Sequence, residues 1–320
     1  MARLTPDQYH VPVMLKECVD ALCSPLPVPR SPLPVPRSPL PVPRSPLPAT
    51  FVDATLGGGG HTAALLDASA RVVAFDADEV AIVRARERFA DVLGSQLFIC
   101  HANFRTMSQE LEPFAPIDGA LFDLGVSSFQ FDHHERGFSY RHEAPLDMRF
   151  APEGDTAADL LNRLPEEEIW RIFRDYGEDP SSRKLAAAVA RRRILAPYQT
   201  TIELRDTIVQ HIPPQHHNKT LARIFQALRI AVNDELGALQ QALLDVLPFC
   251  RQGARLVVMS YHSLEDRIVK DTIKADPRLS AVTKKPVMAS PSEVAANPRA
   301  RSARLRIAET VVPPSYLRSQ

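Results

Sequence analysis

The chain has 320 residues, and its 38 Lys plus Arg balance 38 Asp plus Glu, so any surface for a polyanion must be local rather than global. Cys18, Cys23, Cys100 and Cys250 stand apart with no Cys-x-x-Cys pair, which speaks against a disulfide framework or a cysteine zinc site and for a reducing compartment. No stretch approaches the ~18 apolar residues of a membrane helix, and residues 1–7 lack an apolar leader core, so a cytoplasmic chain with no membrane partner is expected, built as one large domain and a smaller one.

The first predicted helix covers residues 14–22 and is entered through His10-Val11-Pro12-Val13. It runs into a tandem repeat: Ser24-Pro25-Leu26-Pro27-Val28-Pro29-Arg30 recurs at 31–37 and 38–44 and begins again at 45–48. Three prolines in every seven residues fix φ and remove backbone donors, so 24–48 reads as a disordered or polyproline II surface loop. Loop-closure entropy grows only with the logarithm of length, which makes such an expansion tolerable. A ligand for an SH3-like groove is the weaker reading of the same prolines.

From residue 51 strand and helix signals alternate, with strands at 51–54, 71–75, 96–100 and 117–122 and helices at 61–68, 79–89 and 106–112. That alternation predicts a parallel sheet covered on both faces, with ligands beyond the carboxyl ends of its strands. Strand signals vanish between 138 and 219, where helical periodicity occupies 156–163, 165–176, 181–194 and 201–211. A long amphipathic helix at 221–247, a strand at 253–261, a helix at 264–274 and a late strand at 305–308 then resume the sheet. The expected organisation is a sheet domain in two parts, 1–137 and 220–320 with a basic tail, interrupted by an all-helical insert at 138–219.

The first strand breaks into Gly57-Gly58-Gly59-Gly60, where the backbone is free to take φ > 0 and approach a ligand while the following helix offers unpaired N–H groups. The second strand ends in Asp76, placed to accept from both hydroxyls of a ribose, and Asp78 is placed to cap the next helix. Phe104, after the third strand, falls where an adenine ring would lie, or belongs to the core. Contiguous glycines and the adjacent Asp53 favour S-adenosylmethionine over a dinucleotide, and the absence of a Lys-Ser or Lys-Thr after them excludes a P-loop. The fourth strand ends in Asp123, followed by Ser127, Ser128, Gln130, Asp132, His133 and His134. Adjacent histidines in extended chain point to opposite sides, so a metal is not expected there.

Four stretches carry a resemblance to a known family: residues 53–61; residues 123–128 through Pro145-Leu146-Asp147-Met148-Arg149; residues 225–230 with Asn233-Asp234-Glu235-Leu236; and Ser260-Tyr261-His262-Ser263-Leu264-Glu265-Asp266-Arg267. In this order, from His10 to about Arg306, the chain resembles the bacterial 16S ribosomal RNA cytosine-N4 methyltransferases of the RsmH (MraW) type. The resemblance implies an α/β, Rossmann-like S-adenosylmethionine-dependent methyltransferase sheet with an inserted all-helical domain that recognises substrate. It implies cofactor contacts from Gly59, Gly60, His61, Asp76, Phe104, Asp123 and Gln130. Its target is a cytidine in the decoding centre, so 16S ribosomal RNA within the small subunit is the expected partner, and a homodimer is compatible with it. Two departures stand out: Thr220-Leu221-Ala222-Arg223 replaces a His-Pro-Ala-Thr-Arg run, and the proline repeat separates the first helix from the first strand.

Cytosine's exocyclic amine is a poor nucleophile because its lone pair is delocalised into the ring. The expected catalytic device is a hydrogen-bond acceptor within Asp123 to Ser128, with Asp123, Ser127 and Ser128 as candidates and Asp147 or Asn233 assisting. An ion pair with Arg149 is the competing reading of Asp147. Local cation excess occurs at Arg183, Lys184, Arg191, Arg192 and Arg193, and in residues 274–320, where nine Lys/Arg face three Asp/Glu. Phosphate contact is the natural use of the second cluster, while a solvated helix face competes for the first. A DNA or protein methyltransferase, or a proline-motif adaptor on an inactive domain, are the other functions considered.

Overall fold

The computed structural model describes residues 12–23, 48–125, 136–150 and 152–311. The proline repeat up to residue 47, and Ser127, Ser128, Gln130, Asp132, His133 and His134, lie outside them. The chain forms two compact units, one of Met1–Gly125 with Leu239–Gln320 and one of Val126–Ala238.

The first unit begins with α1 (Leu15–Cys23), β1 (Thr50–Asp53), α2 (Gly60–Asp67), β2 (Arg71–Asp76), α3 (Glu79–Arg88), β3 (Leu97–His101), the single-turn α4 (Ser108–Leu111) and β4 (Ile117–Asp123). The helical unit holds α5 (Ala157–Arg163), α6 (Glu166–Asp175), α7 (Ser182–Leu195), α8 (Thr201–His211) and α9 (His217–Asn233), and α10 (Glu235–Asp245) carries the chain back. There β5 (Cys250–Ser260), α11 (Ser263–Ala275), the short β6 (Leu279–Ala281) and β7 (Val287–Met288), α12 (Pro291–Ala296) and β8 (Arg304–Thr310) complete the sheet.

The strand order is β3-β2-β1-β4-β5-β8-β6, with β7 also on β8. Strands β1 to β5 are parallel, β8 runs antiparallel to β5, and β6 and β7 each pair antiparallel with β8. The order reverses between β1 and β4, and at such a switch point neighbouring connections leave to opposite faces and open a crevice. Side chains alternate between two cores: Phe51, Val72, Ala74, Leu121 and Val257 pack on the face of α1 to α3, whereas Val52, Val73, Phe75, Phe122 and Val258 pack on the face holding Leu239, Leu243 and Val269. Each fully buried valine, leucine or phenylalanine among them contributes roughly 1.5–3 kcal/mol, which is why these strands read as continuous apolar runs.

The helical unit has its own core, including Phe138, Met148, Phe173, Leu185, Leu204, Ile224 and Leu228. Its α5 and α8 start in capping boxes, Thr156 with Asp159 and Thr200 with Glu203. The apolar face of α9 belongs to this core, so the compact unit extends past 138–219 at both ends. The single helix expected at 221–247 is two helices, because Asp234 takes a left-handed conformation (φ 44°, ψ 46°) between α9 and α10. A β-carbon at Gly237 would lie 2.7 Å from the Asp234 carboxylate oxygens, so glycine there leaves room for the break. Among the described residues no helix is long and apolar enough to cross a membrane.

Candidate active site

The carboxyl ends of β1, β2, β4 and β5 deliver Asp53, Asp76, Asp123 and Ser260-Tyr261 to one edge of the sheet. Gly57 (φ 48°) and Gly59 (φ 71°) make the turn from β1 into α2, and Arg88 of α3 donates to the Gly58 carbonyl at 2.6 Å. The Asp76 carboxylate accepts from the Gly57 N–H through one oxygen and from the Asp78 N–H through the other, both at 2.8 Å. Burial outweighs those bonds and pushes its pKa up to about 6. Each oxygen keeps a lone pair, so the carboxylate can still accept from two hydroxyls. Asp78 caps α3 by accepting from Val80 N at 3.1 Å, as its position predicts. Phe104 is half-buried and meets Phe122 edge to face at 6.3 Å, so it is part of the core and part of its rim.

Asp53 is almost fully buried, accepts from Thr62 Oγ1 at 2.7 Å, and is held above the ordinary carboxylate range by burial. Thr55 links the two central strands by accepting from the Asp123 N–H at 2.7 Å. Asp123 Oδ1 accepts from the Tyr261 hydroxyl at 2.9 Å, and Oδ2 lies 3.7 Å from His61 Nδ1. Burial raises the Asp123 pKa against the opposing pull of His61 and Tyr261, and burial next to that carboxylate drives the Tyr261 phenol far up. On its other side His61 Nε2 is 3.2 Å from the Val13 carbonyl. A carbonyl only accepts, so Nε2 carries a proton and Nδ1 faces the acid. Pro12 sits against α2: a β-carbon at Gly60 would overlap its ring.

Tyr261 and the segment Pro12–Met14 are site residues that sequence reasoning did not single out for a role. Tyr261 stood in a quoted motif at the end of a strand, which was the available signal. Cys18 and Cys250 are buried, and desolvation raises both thiols, that of Cys250 to about 12. Among the described residues no group of three or more His, Cys, Asp or Glu is placed to hold a metal.

In the helical unit, Asp147 forms an ion pair with Arg149, with N–O distances of 2.7 and 2.9 Å, and its pKa is lowered although burial opposes this. Asn233 accepts from Phe150 N at 2.8 Å and donates to the Met148 and Arg229 carbonyls at 2.8 and 2.9 Å. Both side chains are therefore engaged in holding the 147–150 turn. Three of the five cations on α7 have intramolecular work: Arg183 stacks on Trp170, Arg192 stacks on Tyr198, and Arg193 binds the Leu161 and Leu164 carbonyls. In the last segment Arg306 forms a two-point pair with Asp266, while Lys284, Lys285, Arg299 and Arg301 are exposed.

A mostly parallel sheet with a glycine turn after β1, an acid ending β2 and a second acid ending β4 defines a Rossmann-like enzyme that binds an adenosine cofactor at its switch point. The chain belongs to the MraW methylase family, whose description matches residues 7–311. It is 46% identical to "Ribosomal RNA small subunit methyltransferase H" of Geobacter sp. (strain M21), covering 82% of this chain and 92% of that one. The proteins of the same name from Citrifermentans bemidjiense (45%, 95% of this chain and 99% of that one) and Deinococcus radiodurans (43%, 97% and 92%) are similar over nearly full length. The protein is accordingly a methyltransferase with S-adenosyl-L-methionine as methyl donor. The donor set suits that molecule: a carboxylate with free lone pairs for ribose hydroxyls, a helix N-terminus for its carboxylate, and the buried acids Asp53 and Asp123 as counter-charges suited to a cation.

Proposed function

We propose that the protein methylates the exocyclic N4 amine of a cytidine in the decoding centre of 16S ribosomal RNA, acting in the cytoplasm on the small ribosomal subunit. The observation that carries the reading is Asp123, an acceptor held by Tyr261 and faced by His61 beside the glycine turn, in a chain similar over nearly its whole length to the named relatives. Bound S-adenosyl-L-methionine supplies an electrophilic methyl on a sulfonium centre. In this reading Gly59, Gly60 and His61 bind its amino-acid end, Asp76 its ribose and Phe104 the edge of its adenine, with Asp123 and Gln130 completing the contacts.

The acceptor for the cytosine amine lies in the segment Asp123 to Ser128, with the Asp123 carboxylate, Ser127 and Ser128 as its groups. Accepting an N–H hydrogen bond returns electron density to the nitrogen and aims its lone pair, so positioning is the main catalytic device. Asp123 also suits the proton released after transfer, because its burial favours the protonated acid. Asp147 and Asn233 act through the 147–150 turn they hold. A homodimer, with which the sequence reading is compatible, is read by sedimentation of the purified protein.

The test incubates the enzyme with radiolabelled donor and, separately, small subunits lacking the modification, free 16S RNA, DNA and small-subunit proteins. Label entering one cytidine of 16S RNA, most efficiently in the subunit, is the expected result. Label confined to DNA or protein contradicts the proposal.

A further inference from the structure

The segment Pro12–Met14 is pinned at three points around the glycine turn. The Pro12 ring fills the space beside Gly60, the Val13 carbonyl accepts from His61 Nε2 at 3.2 Å, and the Met14 N–H donates to Glu293 Oε1 at 2.6 Å. Val13 and Met14 are buried, and Met14 holds φ at 49°, a strained value for a side chain with a β-carbon. A carboxylate is a strong acceptor for a backbone N–H, so this bond compensates the strain and fixes the direction of the preceding Val13 carbonyl. Glu293 arrives by an independent route. β7 ends at Met288, paired with Arg304, which is itself paired with Ser260 at the carboxyl end of β5, so α12 starts at the edge of the sheet where the site lies.

We propose that Glu293 is a positioning residue for the methyl-donor site: by holding Met14 N–H it fixes the Val13 carbonyl, which orients the His61 imidazole with Nε2 protonated and Nδ1 toward Asp123. The proposal rests on the reading of the glycine turn and His61 as the donor site. It links residues 279 positions apart in sequence and makes the last helix of the sheet unit part of the site. Glutamine keeps an acceptor oxygen at the same reach without the charge, whereas aspartate keeps the charge but is one methylene shorter.

The test compares Glu293→Gln, Glu293→Asp, Glu293→Ala and His61→Ala in the full-length protein by calorimetric titration of S-adenosylhomocysteine, by the KM-against-kcat split for the donor, and by the ring-nitrogen NMR shifts of His61. Glu293→Gln is expected within about twofold of the parent, and Glu293→Ala and Glu293→Asp to bind about tenfold more weakly, with the loss in donor KM and with His61 Nε2 no longer held as a hydrogen-bond donor in one orientation. Should Glu293→Ala fail to fold, the Gln and Asp variants decide alone. Parent-like binding by Glu293→Asp, or weakening by Glu293→Gln as large as that of Glu293→Asp, overturns the latch. Parent-like binding by His61→Ala overturns the donor-site reading instead, so the two failures are distinguishable.

Discussion

Asp76 is the residue whose environment most directly predicts a pH effect. Its carboxyl titrates near pH 6 in the folded protein against an ordinary value of 3.8. Because the folded pKa is raised, its protonated form favours the fold below the unfolded pKa, and this contribution is lost as pH rises through about 6. Ligand binding has the opposite sense, since only the ionised carboxylate accepts from two hydroxyls. S-adenosylhomocysteine affinity should therefore climb as pH rises through about 6 and level off above it, and Asp76→Asn should bind at least about tenfold more weakly with that rise removed. Calorimetry across the range checks this, and an unchanged rise in Asp76→Asn assigns the titration to another group. Tyr261→Phe keeps the ring but removes the donor to Asp123 Oδ1. Losing a hydrogen bond to a charged group costs about 1.5–3 kcal/mol, so single-turnover methylation at saturating donor should slow by about 10- to 100-fold. A parent-like rate would show that Asp123 does not need this donor.

At the scale of elements, the sheet was legible because its apolar runs are short, β-branched and punctuated by glycine and aspartate, so strands β1 to β5 fall within a few residues of their expected positions. The break between α9 and α10 was not, because the amphipathic pattern continues across Asn233-Asp234 with no proline to stop it, and only the tolerance of aspartate for φ > 0 hints at the turn. The short β6 and β7 carry too few residues to show a period. Asp53, Asp76 and Asp123 were legible as strand-end acids, but the Glu293–Met14 bond was not, since nothing local in either segment encodes a partner 279 residues away. The Asn233 side chain joins α9 to the 147–150 turn through two hydrogen bonds, to Phe150 N and the Met148 carbonyl, and makes a third to the Arg229 carbonyl within α9. Asn233→Ala is expected to destabilise the helical unit by about 1–3 kcal/mol in denaturant unfolding while leaving S-adenosylhomocysteine affinity unchanged. Weakened cofactor binding with unaltered unfolding would assign Asn233 to the donor site instead.

Across the whole molecule, neutrality hides a local division of labour. Of the cations the sequence grouped together, Arg183, Arg192, Arg193 and Arg306 are spent on aromatic rings, carbonyls and Asp266, whereas Lys284, Lys285 and Arg301 are exposed. No sequence pattern separates a structural arginine from a phosphate-binding one, because the difference lies in which acceptors the fold brings near. If the exposed group contacts phosphates, replacing all three by alanine should weaken RNA binding and lower the dependence of affinity on the logarithm of salt by up to about 3 in slope, with S-adenosylhomocysteine binding preserved. An unchanged slope would move the phosphate contacts elsewhere. The proline repeat tests the same separation: removing residues 24–44 shortens one connection, so methylation by the purified protein should persist at a similar rate.

Nucleoside mass spectrometry of 16S RNA, from cells lacking this protein and from the same cells carrying it or its Asp123→Ala form, bears most directly on the proposed reaction. N4-methylated cytidine should be absent without the protein, restored by it, and absent again with Asp123→Ala. Restoration of a different modified base, or full restoration by Asp123→Ala, would contradict the reading of this site.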